Sequence, residues 1–442
     1  MDTIRKINYT VVPGGVLKGT MTVPGDKSIS HRALMLGAIA DGETRIRGLL
    51  QGEDILATAF ALREMGVRID LSCGRDVRVQ GVGLNGLCPP RRPLDLGNSG
   101  TSARLFAGLL AGQRFESVLT GDASLQRRPM QRVVTPLRQM NADLTCTEGG
   151  TLPIHIKGSQ GLKGIHYVMP VASAQLKSSL LLAGLYAEGR TCIEEPVPTR
   201  DHTERLLTRF SCPVDRTGRT VCISKTDKLT AADITVPGDI SSAAFPMIGA
   251  CIADGSDITL QRVGVNQTRR AVIEILQMMG ADITLYNEYE PGYEPVADIR
   301  IRSSRLHGIA IPPRLVPAAI DEFPAIFIAA AYADGLTVLR NAAELRVKES
   351  DRLQAMADGL QATGIHATPM EDGIEIEGGV MRGGIVNSCT DHRIAMAFAI
   401  AGIRAEGPIQ ILDCANVNTS FPGFVKTMQA AGLDVIEEID DV

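Results

Sequence analysis

Apolar positions along this chain fall into two kinds of segment that alternate from end to end. In the first kind they run almost unbroken, as in Leu34-Met35-Leu36 and Ile326-Phe327-Ile328. A helix that is apolar all round belongs inside a core. In the second kind, such as EDILATAFALREMG from Glu53 or TRRAVIEILQMMG from Thr268, apolar residues recur at i, i+3, i+4 and i+7. That spacing predicts an amphipathic helix with one face in water, and a Gly or Asn ends most of these segments. Between the two kinds lie short alternating stretches that predict strands.

The alternation is one plan written six times. PGDKSISHRALMLGAIADGETRIRGLL from Pro24 returns as PGDISSAAFPMIGACIADGSDITLQRV from Pro237, and related segments start at Asn98, Ala172, Asp321 and Asp391. This spacing is too wide for a solenoid and suits a βαβαββ unit. Three units per half predict two pseudo-threefold domains, with the all-apolar helix of each unit buried and the amphipathic helix outside. The expected division is residues 1–20 plus 240–442 for one domain and 21–239 for the other.

Charge changes this picture, because polar residues crowd the predicted helix starts. Lys27, Ser28, His31 and Arg32 open the first inner helix, and Asn98, Ser99, Thr101 and Arg104 the second. Ser173, Gln175 and Lys177 open the third, Asp321 and Glu322 the fifth, and Asp391, His392 and Arg393 the sixth. Arg127 and Arg128, Arg200 and Asp201, and Lys348, Glu349 and Arg352 begin outer helices in the same way. A helix N-terminus already attracts phosphate and carboxylate, and cations are ordinarily disfavoured there. Cations repeated at equivalent starts are therefore expected to hold a polyanion. If the inner helices of each domain point one way, two facing domains make a cleft lined with helix N-termini.

Composition narrows the classes. The 442 residues are 44% hydrophobic and 21% charged, as in soluble globular proteins. A net charge of −5 argues against nucleic-acid binding. The nine cysteines are scattered singly with no CxxC, which predicts reduced thiols in a cytosolic protein and no zinc site. MDTIRKINYT has no apolar stretch of the signal-peptide kind, and no run is long enough to cross a bilayer.

PGDKSISHR, LGNSGTSARL, GDASLQRRPM, SAQLKSS, LRVKESDR and DHRIAM, in that order, resemble the signature blocks of the 5-enolpyruvylshikimate-3-phosphate synthase family along essentially the whole chain. The resemblance implies two inverse α/β-barrel-like domains of three units each, with the active site in the interdomain cleft. It implies transfer of the enolpyruvyl group of phosphoenolpyruvate to the 5-hydroxyl of shikimate-3-phosphate through a tetrahedral intermediate. It implies a cytoplasmic monomer with no metal or organic cofactor, and a target for glyphosate, which competes for the phosphoenolpyruvate site.

Residue by residue, the resemblance places Lys27 against both substrates and counts it among the catalytic residues. It assigns Ser28, Arg32, Ser173, Gln175, Arg200, Asp321 and Lys348 to shikimate-3-phosphate. It assigns Gly100, Arg128, Gln175, Arg352 and Arg393 to phosphoenolpyruvate. Asp321 matches the proton acceptor, and Glu349 is a second proton-transfer group. Many members of that family carry a phosphoenolpyruvate-contacting Lys before the final Thr-Phe-Pro, and the stretch here, Asn418-Thr419-Ser420-Phe421-Pro422, lacks it. The chain also departs at Glu344, where the family has Asn, and at Thr199, where it has an aromatic residue. The related UDP-N-acetylglucosamine enolpyruvyl transferases carry a reactive Cys before the Arg-Pro helix start, but the loop Gly121-Asp122-Ala123-Ser124-Leu125 has none.

Overall fold

A computed structural model describes residues 5–290 and 292–441. Residues 1–4, part of the stretch read for a leader, lie outside it. The chain divides into two compact units, Gly25–Val236 with Pro291–Glu294, and Met1–Pro24 with Pro237–Glu290 and Pro295–Val442.

Six inner helices stand where the unbroken apolar runs predict them. Lys27–Ala38, Gly100–Ala111 and Ala174–Gly184 lie in the first unit. Ile240–Ile252, Phe323–Ala331 and His392–Ala401 lie in the second. Every residue of Phe323–Ala331 is buried. Small residues let these helices touch at the backbone. A Cβ on Gly108 would lie 2.0 Å from the Ser179 carbonyl oxygen of the next inner helix, so only glycine fits there. Each unit has its own apolar core, and the amphipathic helices lie outside it with residues such as Phe60 left in water.

The strands repeat one small sheet. Leu94–Asp95 runs parallel to Ser117–Thr120, which pairs antiparallel with Ile154–Ile156, and Leu144–Thr145 closes the edge. The other sheets follow this order, except that in the fifth the parallel partner shrinks to a bridge between Ala310 and Val338. The inner helix makes the crossover of the parallel pair in the second, third, fifth and sixth sheets.

Two strands are exchanged. Lys18–Met21 precedes the first inner helix in sequence yet pairs with Asp257–Gly264. Ile234–Thr235 precedes the fourth yet pairs with Asp41–Arg47. The division therefore falls at 24/25 and 236/237 rather than 20/21 and 239/240, and residues 291–294 join the first unit rather than the second. Strand pairing over such separations sets these boundaries, and no local pattern marks them.

The cysteine expectation is also corrected. Cys192 and Cys222 face each other on adjacent antiparallel strands and form a disulfide, while the other seven are free. Thirty residues separate the two in sequence, so only strand register brings them together. Among the described residues no helix is long and apolar enough to cross a membrane.

Candidate active site

Five of the six inner helices begin on a side chain that caps them. Asp26, Ser99, Ser173, Asp239 and Asp391 each accept a hydrogen bond from a backbone N–H of the first turn. Those short side chains stop the helices at fixed points and so set where the neighbouring cations stand. The fifth helix differs. It starts at Phe323 with Glu322 in the cap position, and no side chain caps it. Asp321 therefore lies just before the helix rather than at its cap, and its carboxylate is used elsewhere.

In the unit holding Gly25–Val236, Lys27 Nζ lies 2.6 Å from Asp54 at the start of the first outer helix. Arg32 is buried and held at three points, by the Ser28 carbonyl, Ser178 Oγ and Thr203 Oγ1 at 2.6–2.8 Å. Arg128 donates to the carbonyl and the side-chain oxygen of Asn98 and to Ser124. Its guanidinium borders Gly100, where an added Cβ would meet Arg104 Nη1 at 3.0 Å and Arg128 Nη1 at 3.3 Å. Arg104 donates in turn to Gln175 Oε1 at 2.5 Å, and Gln175 donates to Thr101 at 2.9 Å. Lys27, Gly100, Ser173 and Gln175 thus stand at inner helix starts of one unit, while Arg128 lies two residues before Met130, the cap of the outer helix Gln131–Gln139. Arg200 sits half-buried just before the helix His202–Arg209.

The second unit gathers the remaining groups more tightly. Arg352 opens the outer helix Arg352–Ala362 and is 1% exposed. It touches three carboxylates. Nε lies 2.8 Å from Asp391, Nη2 lies 2.6 Å from Glu349, and Nη1 lies 3.6 Å from Asp321. Lys348 Nζ reaches Asp321 at 3.5 Å, and Arg393 Nη1 donates to the Asp321 carbonyl at 2.8 Å. Burial alone would lower the Arg352 pKa, but Asp391 and Glu349 outweigh it and hold the guanidinium above its ordinary value. Burial alone would raise Asp391, yet Arg352 outweighs it and the carboxyl titrates below its usual range. Lys348 and Glu349 precede the helix rather than opening it, because Asp351 is the cap.

Sequence patterns singled out the cations but not every partner. Asp54 was missed as the counter-ion of Lys27, and Arg104 as the clamp on Gln175, although Arg104 stands at a helix start. The sequence pattern marks Asp391 as a helix opener only. The signal available was the shared position in the repeat: each of these stands at the N-terminus of an inner or outer helix.

At the departures, Thr199 turns to Glu195 through both its N–H and its hydroxyl. That loop is anchored by the fully buried Lys177, 3.0 Å from Glu195 and 2.7 Å from Glu204. Thr419 donates to the Asn416 carbonyl, and Glu344 lies in the turn Ala343–Val347. Among the described residues, Asp201, His202 and Glu294 come close enough to share a cation. Arg205 already pairs with Asp201 at 2.8 Å, and His202 with Glu294 at 2.6 Å.

Comparison with known proteins turns these half-described anion sites into a family. A family model described as EPSP synthase (3-phosphoshikimate 1-carboxyvinyltransferase) matches residues 11–428. The chain belongs to the EPSP synthase family. It is 61% identical over 431 residues to the 3-phosphoshikimate 1-carboxyvinyltransferase of Methylococcus capsulatus, covering 98% of this chain and 99% of that protein. It is 60% identical over 428 residues to that of Alkalilimnicola ehrlichii, covering 97% and 96%. An EPSP synthase structure from Acinetobacter baumannii superposes with a TM-score of 0.88 at 53% identity, covering 98% of this chain and 100% of that one. The reaction of the EPSP synthase family, transfer of the enolpyruvyl group of phosphoenolpyruvate to shikimate-3-phosphate in the shikimate pathway, is the reaction of this chain.

Proposed function

We propose that the two sets of helix-start groups divide this reaction between them. Arg128, Arg352 and Arg393 hold the carboxylate and phosphate of phosphoenolpyruvate, for which the guanidinium fork is suited. Gly100 lets backbone approach that ligand, and Lys27 serves both substrates. Ser28, Arg32, Ser173, Gln175, Arg200 and Lys348 hold shikimate-3-phosphate. Arg32 already spends its donors on Ser28, Ser178 and Thr203, so on this reading it shapes the pocket as well as holding charge.

The observation that carries the mechanism is Asp321. Its carboxylate does not cap the helix Phe323–Ala331 and instead faces Lys348 and Arg352, two cations that favour the charged form able to take a proton. Asp321 removes the proton of the 5-hydroxyl as that oxygen bonds to C2 of phosphoenolpyruvate. Glu349 delivers a proton to the methylene C3, which closes the tetrahedral intermediate. Loss of a proton from C3 and departure of phosphate then restore the double bond. Two carboxylates in different surroundings suit this division. The protein acts as a monomer in the cytoplasm.

Phosphate release on mixing the protein with phosphoenolpyruvate and shikimate-3-phosphate tests the assignment, with UDP-N-acetylglucosamine as the control acceptor. Release is expected with the first acceptor only, and it should be lost in Asp321→Asn. Full turnover by that variant would sink the assignment of the base.

A further inference from the structure

One buried ionic cluster lies beside Asp321 and takes no part in the scheme above. Glu322, the next residue, is 1% exposed, and its Oε1 accepts a hydrogen bond from Ser241 Oγ. Arg269 Nη2 donates to Ser241 Oγ at 2.7 Å and lies 3.2 Å from Asp239 and 3.5 Å from Glu322. Arg269 itself is 2% exposed. The cluster ties together the cap of the fourth inner helix, the loop before the outer helix Ala271–Met278, and the start of the fifth inner helix.

The repeat gives this cluster a meaning. Arg269 stands before the fourth outer helix much as Arg352 opens the fifth. Arg352 reaches Asp321 of its own repeat and Asp391, the cap of the next inner helix. Arg269 likewise reaches Asp239 of its own repeat and Glu322 at the next inner helix start. The two arginines therefore grip the Asp321-Glu322 dipeptide through its two carboxylates. Arg393 adds a hydrogen bond to the peptide oxygen between them.

We propose that Arg269, Ser241 and Glu322 are positioning residues for the Asp321 carboxylate. The proposal rests on Asp321 being the base. Burying Glu322 beside a helix start is a poor way to gain stability, because a buried ion pair often gives less than apolar residues of the same volume. Its bonds are directional, however, and they fix the rotation of the 321–322 peptide. With Glu322 fastened to one side, the Asp321 side chain is sent toward Lys348 and Arg352. A base displaced by about 1 Å loses rate steeply while ligand binding is little changed.

The test compares Ser241→Ala, Arg269→Lys and Arg269→Met with Asp321→Asn, following kcat, both KM values, the pH profile of kcat and the melting temperature. Arg269→Met is expected to lower kcat by about 10–100-fold with both KM values within about threefold, and Arg269→Lys to restore part of it. Ser241→Ala, which removes only a hydroxyl, is expected to lower kcat by about 3–10-fold and to shift the acid limb of the profile. If Arg269→Met does not fold, Ser241→Ala decides alone. A folded Ser241→Ala enzyme with unchanged kcat and pH profile overturns the proposal while an inactive Asp321→Asn leaves the base in place. An active Asp321→Asn enzyme overturns both.

Discussion

Arg352 holds Asp391 through two nitrogens, Nε at 2.8 Å and Nη2 at 3.2 Å, with both side chains out of reach of water. Asp391 also caps the sixth inner helix through the Arg393 N–H, so one carboxylate sets the helix start and anchors the arginine.

Removing that charge should cost stability in a pH-dependent way. Asp391→Asn keeps a capping side chain but leaves Arg352 facing one fewer anion, at a cost of about 3–5 kcal/mol for a broken buried pair. The folded carboxyl titrates below its unfolded value. The contribution is therefore complete above about pH 4 and fades as pH falls through the folded pKa. Melting curves should show the variant well below the parent at pH 7 and the gap closing in acid. A gap that stays constant down to acid unfolding would contradict this.

Asp321→Asn is expected to leave the melting temperature within a few degrees, since Asp321 does not cap the helix Phe323–Ala331 that follows it. Turnover should fall by about 10²–10⁴-fold, because the amide cannot take the hydroxyl proton. Glu349→Gln should slow incorporation of solvent hydrogen into the methylene of phosphoenolpyruvate, read by NMR.

Gly100→Ala puts a methyl group against the ends of Arg104 and Arg128, both flexible enough to give way. The protein should fold normally. The inhibition constant for glyphosate is expected to rise more than the KM for phosphoenolpyruvate. Steady-state kinetics with both ligands checks it, and equal changes would show that the two occupy the Gly100 side alike.

His31 is fully buried among Thr58, Ser99 and Ser102. Burial, and then Lys27 and Arg32, hold its pKa well below the ordinary value. The unfolded chain takes up a proton near pH 6.5 that the folded one refuses, so stability is complete above that pH and declines below it. Denaturant titrations of His31→Gln should show a slope between pH 6.5 and 5 smaller by up to about 1.4 kcal/mol per pH unit. An unchanged slope would mean that His31 takes up its proton without unfolding.

The sequence by itself determined the six inner and six outer helices, because burial on all sides and burial on one face write different periods into the residues. It also determined which helix starts carry cations, since each repeat places them at the same offset. The Lys27, Arg128 and Arg352 positions were legible for that reason. Tertiary structure alone decided the partners. Asp54, Asp391 and Glu322 are ordinary helix-start acids until the folded chain sets Lys27, Arg352 and Arg269 beside them. The exchanged strands Lys18–Met21 and Ile234–Thr235, and the Cys192–Cys222 pairing, were decided there too. Local patterns report which face of a segment meets water, whereas hydrogen-bond register between distant strands depends on neighbours that only the folded chain supplies.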